Sequence, residues 1–181
     1  MTPGRPFAVV GASGVGKDTL IAAVLRARPD LYVVRRVITR PEEAGGEPFQ
    51  GVTGAEFRRR MDAGDLALTW EAHGLSYGIP ATLDAVLASG RDAIFNGSRA
   101  ALPLAAARYP RLKVLHIVAD PEVLAARLAA RGREDAAERA RRLGRADQAL
   151  PEGLDVVEID NGGALERAVA AFLDALQPER V

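Results

Sequence analysis

The chain has 181 residues, of which 48% are hydrophobic and 27% charged, a balance typical of a soluble globular domain and not of a disordered chain. Its 24 basic and 24 acidic residues leave no net charge, which excludes long-range attraction to nucleic acid or to an anionic membrane. No cysteine is present, so disulfides, thiolate metal sites and cysteine nucleophiles are excluded. We expect a cytoplasmic protein without nucleic-acid or membrane partners, since no signal-peptide core or membrane-spanning run is evident.

Short apolar runs alternate with longer amphipathic segments along the chain, without repeats or linker-like stretches. This alternation predicts an α/β fold in which a five-stranded parallel sheet is covered by helices on both faces. The predicted strands are Phe7–Val10, Val33–Ile38, Ala93–Asn96, Leu112–Val118 and Asp155–Asp160. The predicted helices are Lys17–Arg28, Leu83–Ala88, Arg99–Tyr109, Pro121–Ala130, Ala136–Ala149 and Ala164–Leu176.

The segment from about residue 39 to residue 80 departs from this alternation. It contains the turn Ala44-Gly45-Gly46, a capping box Thr53-x-x-Glu56 that marks the start of a short helix, and a strand-like run Leu66–Trp70. We expect a single domain over residues 1–181, in which this segment forms a small substrate-binding insertion.

One motif carries strong chemical information. Residues 11–19 read Gly-Ala-Ser-Gly-Val-Gly-Lys-Asp-Thr, which matches the phosphate-binding pattern G-x-x-x-x-G-K between an apolar strand and a helix. The glycines let successive backbone N–H groups point at a phosphate, and the helix N-terminus and a lysine add positive charge. Only two of the 24 basic residues are lysines, Lys17 and Lys113, so a lysine here is informative. The motif predicts a nucleoside triphosphate site formed by Gly11, Ala12, Ser13, Gly14, Val15, Gly16, Lys17, Asp18 and Thr19.

Asp18 stands where a serine or threonine usually follows the lysine and holds Mg²⁺ through its hydroxyl. A carboxylate is also a hard oxygen ligand, and Mg²⁺ needs only one or two carboxylates beside the nucleotide phosphates. We therefore expect Mg²⁺ as a cofactor and Asp18 as its protein ligand. The alternative is an acid that only complements the dipole at the helix N-terminus.

Motifs beyond this loop resemble the guanylate kinase family over nearly the whole chain. They are Thr39-Arg40-Pro41, the Gly-Gly-Glu turn that ends at Glu47, and Tyr77-Gly78-Ile79-Pro80. The run Arg127-x-x-x-Arg131-Gly132, followed by Arg142, is similar to that family's arginine-bearing lid and implies a lid at about residues 131–142. The resemblance implies a P-loop nucleotide kinase fold and phosphoryl transfer from ATP to a small phosphorylated acceptor.

The positions that bind GMP in that family are changed here. Leu68 stands at the base-reading glutamate, Ile79 at the threonine of Tyr-Gly-Thr, and Asn96 at an aspartate that contacts the base. Phe49 replaces a tyrosine that grips the phosphate, and Glu43 replaces the second phosphate-binding arginine. A pocket without the base-reading acids leaves guanine's donors unpaired, which disfavours GMP as the acceptor.

Other motifs are similar to a branch of the same family that phosphorylates ribose 1,5-bisphosphate in phosphonate catabolism. This second resemblance implies a sugar phosphate substrate, ATP as the phosphoryl donor and 5-phosphoribosyl 1-diphosphate as the product. The motifs that carry it are Gly-Lys-Asp of the loop, Val37-Ile38-Thr39-Arg40-Pro41, Trp70-Glu71-Ala72-His73-Gly74-Leu75 with Tyr77-Gly78-Ile79-Pro80, and Asn96-Gly97-Ser98-Arg99.

The resemblance assigns catalytic roles to positively charged side chains. Their task would be to neutralise negative charge on the transferring phosphoryl group. The residues expected to do so are Lys17, Arg127, Arg131 and Arg142.

The expected substrate contacts lie in the second predicted strand, in the insertion, and at and after the end of the third predicted strand. Of the neighbours Arg35 and Arg36, one is expected to face the site and the other water. Asn161, which follows the last strand, is expected near the base of the triphosphate. The expected substrate-binding residues are Arg36, Arg40, Glu71, His73, Tyr77, Asn96, Ser98 and Arg99.

Alternative functions use the same scaffold. A guanylate or other nucleoside monophosphate kinase would need the base-reading groups that are changed here. A catalytically inactive guanylate-kinase-like binding module would have lost the phosphate loop, which is intact. A nucleotide-dependent switch would need a switch element and a second acidic motif, and the sequence shows neither clearly.

Overall fold

A computed structural model describes residues 2–130 and 149–178 of the chain. Its strands in chain order are β1 (Pro6–Gly11), β2 (Tyr32–Val33), β3 (Val37–Ile38), β4 (Gln50–Gly51), β5 (Leu66–Ala72), β6 (Leu75–Pro80), β7 (Ala93–Asn96), β8 (Lys113–Val118) and β9 (Val156–Asp160). Its helices are α1 (Lys17–Ala27), α2 (Gly54–Asp62), α3 (Thr82–Ala88), α4 (Leu102–Arg108), α5 (Pro121–Ala130) and α6 (Leu165–Ala175), with 3₁₀ turns at Glu42–Ala44 and Arg99–Ala101.

Five strands form a parallel sheet in the order β2-β7-β1-β8-β9. The residues of β1 from Pro6 to Val10 are buried, as expected for a central strand that is covered on both faces. Strands β8 and β9 pair in parallel from Val114 opposite Val156 to Val118 opposite Asp160. The α/β architecture and the five-stranded parallel sheet that the sequence predicts are confirmed.

The predicted strand Val33–Ile38 is wrong as a single element. Strand β2 pairs with β7 in the five-stranded sheet, whereas β3 belongs to a second sheet. The change of partner occurs at the adjacent residues Arg35 and Arg36. A continuous strand would direct these two charges to opposite faces of a buried sheet, whereas in the structure Arg35 is exposed and Arg36 forms a buried ion pair with Glu47. Charge therefore divides one apolar run into two strands.

The second sheet has four strands in the order β4-β3-β6-β5. Strands β3 and β4 are parallel, and β6 is antiparallel to both β3 and β5. A two-residue turn, His73-Gly74, joins β5 to β6 with φ values of 53° and 73°, which is the type I′ geometry of a tight hairpin. Helix α2 begins where the capping box predicts, because the Thr53 hydroxyl accepts a hydrogen bond from the Glu56 N–H at 3.1 Å.

The chain forms two compact units. The first contains the described residues of 1–8 and 30–113, including the whole four-stranded sheet, and the second contains those of 9–29 and 114–181. Fully buried Ile79, Leu83 and Phe95 belong to the core of the first unit. In the second unit α1 packs against α6, and each helix contributes fully buried side chains such as Val24 and Phe172.

Two further predicted helices differ from the structure or lie outside it. The predicted helix Arg99–Tyr109 begins as a 3₁₀ turn and becomes an α-helix only at Leu102. Of the predicted helix Ala136–Ala149, only Ala149 lies within the described residues, and it is not helical. No helix among the described residues is long and apolar enough to cross a membrane.

A polar contact joins helix α3 to the end of helix α4 in the first unit. The Tyr109 hydroxyl donates a hydrogen bond to the Asp84 carboxylate at 2.7 Å, and the Arg108 guanidinium donates to the same carboxylate. Burial and this hydrogen bond raise the pKa of Tyr109 to about 12, because both disfavour the tyrosinate. The contact is therefore strongest while the tyrosine keeps its proton.

We expect Tyr109→Phe to lower the free energy of unfolding by about 1 kcal/mol at pH 7, the usual net contribution of one hydrogen bond. A pKa that is higher in the folded state stabilises the fold below about pH 10, the pKa of unfolded tyrosine, and this contribution is lost as the pH rises toward 12. Urea unfolding of both proteins should show a constant difference below pH 10 that closes between pH 10 and 12. A pH-independent difference would contradict this account.

Candidate active site

The phosphate loop connects β1 to α1 in the second unit. Gly14 and Gly16 have φ values of +84° and +91°, a backbone region that other L-residues rarely adopt. The Val15 N–H donates to the Ala12 carbonyl at 3.2 Å, which closes the loop on itself before α1 begins at Lys17. The glycines of the motif therefore stand at the positions where the curl requires positive φ.

Lys17, Asp18 and Thr19 form the first residues of helix α1. The Lys17 ammonium donates to the carbonyls of Gly11 at 2.8 Å and Ala12 at 3.4 Å, so it lies along the rim of the loop. Asp18 lies in the first helical turn, one residue after the lysine. A single backbone segment thus brings all nine predicted nucleotide-binding residues together.

Two side chains hold the loop through the carbonyl of Val15. The Asn161 amide donates to it at 2.8 Å and the Arg127 guanidinium at 3.2 Å. Arg127 also donates to the Asn161 carbonyl at 2.7 Å, so the three residues form one network, which we call the Val15 clamp. Asn161 is only 5% exposed, and a Cβ added at Gly16 would lie 2.8 Å from its amide nitrogen. The clamp joins the end of β9 and helix α5 to the phosphate loop.

Of the three arginines that the sequence predicts for the lid, the structure describes only Arg127. Arg127, predicted as a lid arginine that neutralises phosphoryl charge, donates here to two backbone carbonyls. Arg131, Arg142 and the predicted lid at about residues 131–142 lie outside the described residues.

A buried polar cluster lies in the first unit, around the four-stranded sheet. The Arg36 guanidinium pairs with the Glu47 carboxylate, and each side chain is only about one-tenth exposed. The Asn96 amide donates to the other oxygen of Glu47 at 2.7 Å. Arg36 also lies over two aromatic rings, 5.0 Å from the Tyr77 centroid and 5.8 Å from that of Trp70. We call these five residues the Arg36 cluster.

The two rings of this cluster stack on each other, with centroids 5.5 Å apart and planes 7° from parallel. They are partners across β5 and β6, where Trp70 stands opposite Tyr77. Leu68 and Ile79 are the next pair on the same face and are both buried. Of the positions that the sequence resemblance assigns to base reading, Leu68 and Ile79 are therefore apolar, and the Asn96 amide N–H is paired with Glu47.

Arg40 and Arg35 lie apart from the ion pair of the cluster. The Arg40 guanidinium lies 4.4 Å from the centroid of the Phe49 ring and donates to the Gly45 carbonyl at 2.9 Å. Its Nε atom is buried and has no hydrogen-bond acceptor among the described residues. Arg35 donates to the Phe49 carbonyl and faces solvent, whereas Arg36 is the arginine that turns inward.

The remaining predicted substrate contacts are dispersed over the first unit. Ser98 precedes the 3₁₀ turn after β7, and Arg99 begins that turn. Burial lowers the pKa of the Arg99 guanidinium. Glu71 and His73 are exposed near and at the tip of the β5–β6 hairpin. The structure thus brings Arg36, Tyr77 and Asn96 into one cluster and leaves the hairpin-tip residues outside it.

Sequence reasoning assigns no site role to Glu47 or Trp70. It places Asn161 near the base of the triphosphate, whereas in the structure Asn161 donates to the phosphate loop at Val15. Glu47 and Asn161 act through partners 11 to 146 residues away along the chain. No local pattern reveals such contacts.

A pocket of about 260 Å³ lies in the first unit beside helix α2 and the β5–β6 hairpin. Its lining contains one positively charged side chain and one negatively charged side chain. The lining residues are Gly54, Phe57, Arg58, Met61, Thr69, Trp70, Glu71 and Ser76.

Comparisons with known proteins agree along almost the whole chain. A family model described as guanylate kinase matches residues 3–179. The chain is 51% identical over 178 residues to the ribose 1,5-bisphosphate phosphokinase PhnN of Ruegeria sp. (strain TM1040), with 98% of this chain and 94% of that protein covered. It is 48% identical over 172 residues to the ribose 1,5-bisphosphate phosphokinase PhnN of Agrobacterium fabrum (strain C58 / ATCC 33970), with 93% and 94% covered.

Solved structures show the same fold. The guanylate kinase from Anaplasma phagocytophilum aligns with a TM-score of 0.73 over 97% of this chain and 85% of that one, at 17% identity. A sugar kinase from Janibacter sp. HTCC2649 aligns with a TM-score of 0.57 over 98% of this chain and 100% of that one, at 19% identity.

We expect Asn161→Asp to weaken nucleotide binding about tenfold or more, because a buried carbonyl that loses a donor costs about 1–3 kcal/mol and the new carboxylate would repel it. Calorimetric titration with ADP in the absence of metal measures the loss directly. Asp160→Asn is the matched control, since its side-chain oxygen can still accept from the Gly162 N–H, as Asp160 does at 2.8 Å. Equal affinities for wild type and Asn161→Asp would show that the Val15 clamp does not hold the loop.

Proposed function

The chain belongs to the guanylate kinase family, and we propose that it is an ATP-dependent phosphotransferase whose acceptor is ribose 1,5-bisphosphate. An oxygen of the acceptor's 1-phosphate attacks the terminal phosphorus of ATP, the bond from that phosphorus to the bridging oxygen breaks, and ADP leaves. The product is 5-phosphoribosyl 1-diphosphate. Identity of about half over nearly the full length to two proteins named for this substrate carries the proposal.

The second unit would bind the triphosphate. The curled backbone of residues 11–16 and the first turn of α1 are the anion-binding arrangement of phosphate loops. In our proposal Lys17 exchanges its contacts with the Gly11 and Ala12 carbonyls for the terminal phosphates. Phosphoryl transfer then depends on positioning and charge neutralisation, without a covalent enzyme intermediate. The nucleophile is already a phosphate oxygen, so no general base is needed.

The first unit would bind the acceptor. Arg40 presents a guanidinium with an unused Nε donor, and the planar fork of arginine suits phosphate oxygens. Arg36 is already neutralised by Glu47, so its proposed part is to hold the Arg36 cluster in shape. Leu68 and Ile79 offer no polar partner to guanine, which supports a sugar phosphate over GMP.

The residues present are compatible with Mg²⁺. No group of three or more histidine, cysteine, aspartate or glutamate residues is gathered among the described residues, and Mg²⁺ in kinases needs one or two carboxylates plus the substrate phosphates. Asp18 in the first turn of α1 would supply that carboxylate. The ion, when bound, would offset negative charge on the nucleotide phosphates.

We expect a coupled ADP-release assay to show turnover with ATP and ribose 1,5-bisphosphate and rates several powers of ten lower with GMP, AMP or ribose 5-phosphate. Lys17→Ala should abolish turnover, and Lys113→Ala, which removes the chain's other lysine, should leave it within about twofold. Rapid GDP formation without any reaction of the ribose substrate would establish a guanylate kinase instead. Activity of Lys17→Ala within about tenfold of wild type, a 1.4 kcal/mol effect, would refute the proposed use of the loop.

We expect Asp18→Ala to require more Mg²⁺ for half-maximal activity and to turn over more slowly, while metal-free ADP binding survives through the loop amides. Asp18→Ser should recover part of the loss, because a hydroxyl is also an oxygen ligand for the ion. The measurement is activity against Mg²⁺ concentration for wild type and both variants. Three superimposable curves would leave Asp18 only the role of an acid at a helix N-terminus.

A further inference from the structure

The indole N–H of Trp70 is a buried donor without a partner. Trp70 is 7% exposed, and among the described residues nothing accepts a hydrogen bond from its Nε1 atom. A buried Trp N–H normally finds an acceptor, and one that does not is costly to the fold. A phenylalanine at position 70 would pack an aromatic ring in the same place without a buried N–H.

The surroundings of Trp70 hold its ring in place beside a pocket. One face stacks on Tyr77, and the Arg36 guanidinium, fixed by Glu47, lies over both rings. Trp70 also lines the 260 Å³ pocket of the first unit. The orphaned donor therefore belongs to a side chain whose orientation is set by three neighbours and which borders an open space.

We infer that the Trp70 indole N–H is a specificity-determining donor to an oxygen of the acceptor substrate. A donor needs a ligand whose edge is rich in acceptors. The hydroxyl, ring and phosphoryl oxygens of ribose 1,5-bisphosphate are acceptors, whereas the edge of guanine that acidic readers bind consists of N–H donors. The inference rests on the proposed function and adds a positive reason for a sugar phosphate to the absence of polar base-reading groups at Leu68 and Ile79.

The decisive variant is Trp70→Phe, which keeps an aromatic ring and removes the N–H. We expect KM for ribose 1,5-bisphosphate to rise about tenfold, while KM for ATP stays within twofold; the cavity left by the smaller ring opposes the gain from removing an unpaired donor, so the melting temperature should change little. Tyr109→Phe is the matched control, because it removes a buried polar group from the same unit outside the proposed site. It should leave both KM values unchanged.

The chain has one tryptophan, which allows two further measurements. Replacing tryptophan by 3-benzothienylalanine during expression changes only Trp70 and exchanges its N–H for sulfur at nearly constant shape, which keeps the test open should Trp70→Phe fail to fold. In wild type, the single indole N–H signal in a ¹⁵N–¹H correlation spectrum should move downfield as ribose 1,5-bisphosphate is added, and GMP at equal concentration should not move it.

The outcomes separate this inference from the proposed function. If wild type does not phosphorylate ribose 1,5-bisphosphate, the proposed function fails and this inference fails with it. If wild type does so and both N–H-free proteins keep their KM for that substrate, only the inference fails, and a water molecule or another part of the chain satisfies the donor. A fall in melting temperature with equal loss toward both substrates would show that the ring matters and the N–H does not.

Discussion

The carbonyl of Val15 is the point through which the phosphate loop is held in its curl. Two positive-φ glycines permit the curl but do not enforce it, because glycine is equally free to adopt other conformations. The Asn161 amide and the Arg127 guanidinium hold the loop in this conformation, because both donate hydrogen bonds to the Val15 carbonyl. Loop N–H groups that are oriented before the anion arrives bind it without a further ordering cost. The conformation of the loop thus depends on a side chain that lies 146 residues from Val15 along the chain.

A second constraint organises the acceptor side of the molecule. The buried Arg36–Glu47 pair requires both charges to be present, since removing one partner of a buried pair leaves an uncompensated charge. Arg36 lies between β2, which belongs to the five-stranded sheet, and β3, which belongs to the four-stranded sheet. Its guanidinium also lies over the stacked rings of Trp70 and Tyr77, so one ion pair borders both the change of sheet and the aromatic pair.

A small number of side chains, and not the family scaffold, distinguish the proposed acceptor from GMP. The phosphate loop and the strand order belong to the family scaffold, whereas Leu68, Ile79 and Asn96 stand where the resemblance places the glutamate, the threonine and the aspartate of a guanine reader. Paired apolar residues do not by themselves attract a sugar phosphate. In our proposal the donors of the first unit, Arg40 and Trp70, would provide the attraction, because an acceptor-rich substrate satisfies groups that otherwise stay unpaired.

The phosphate loop, the parallel sheet and one helix start could be predicted from the sequence alone. The motif Gly11–Lys17 predicts a phosphate loop because its residues are contiguous in the sequence. Its glycines Gly14 and Gly16 stand where the backbone adopts positive φ. The alternation of apolar runs and amphipathic segments determined the parallel sheet, and Thr53 determined the start of a helix through a contact three residues away.

Other features were decided only in three dimensions. The run Val33–Ile38 reads as one strand because periodicity does not show which partner each residue will have, and the ion pair of Arg36 with Glu47 ends it. Asn161 and Trp70 owe their roles to groups brought beside them by folding. Local backbone and capping energies act between near neighbours and are visible in the sequence, whereas the pairing of buried polar groups depends on which distant segments the core brings together.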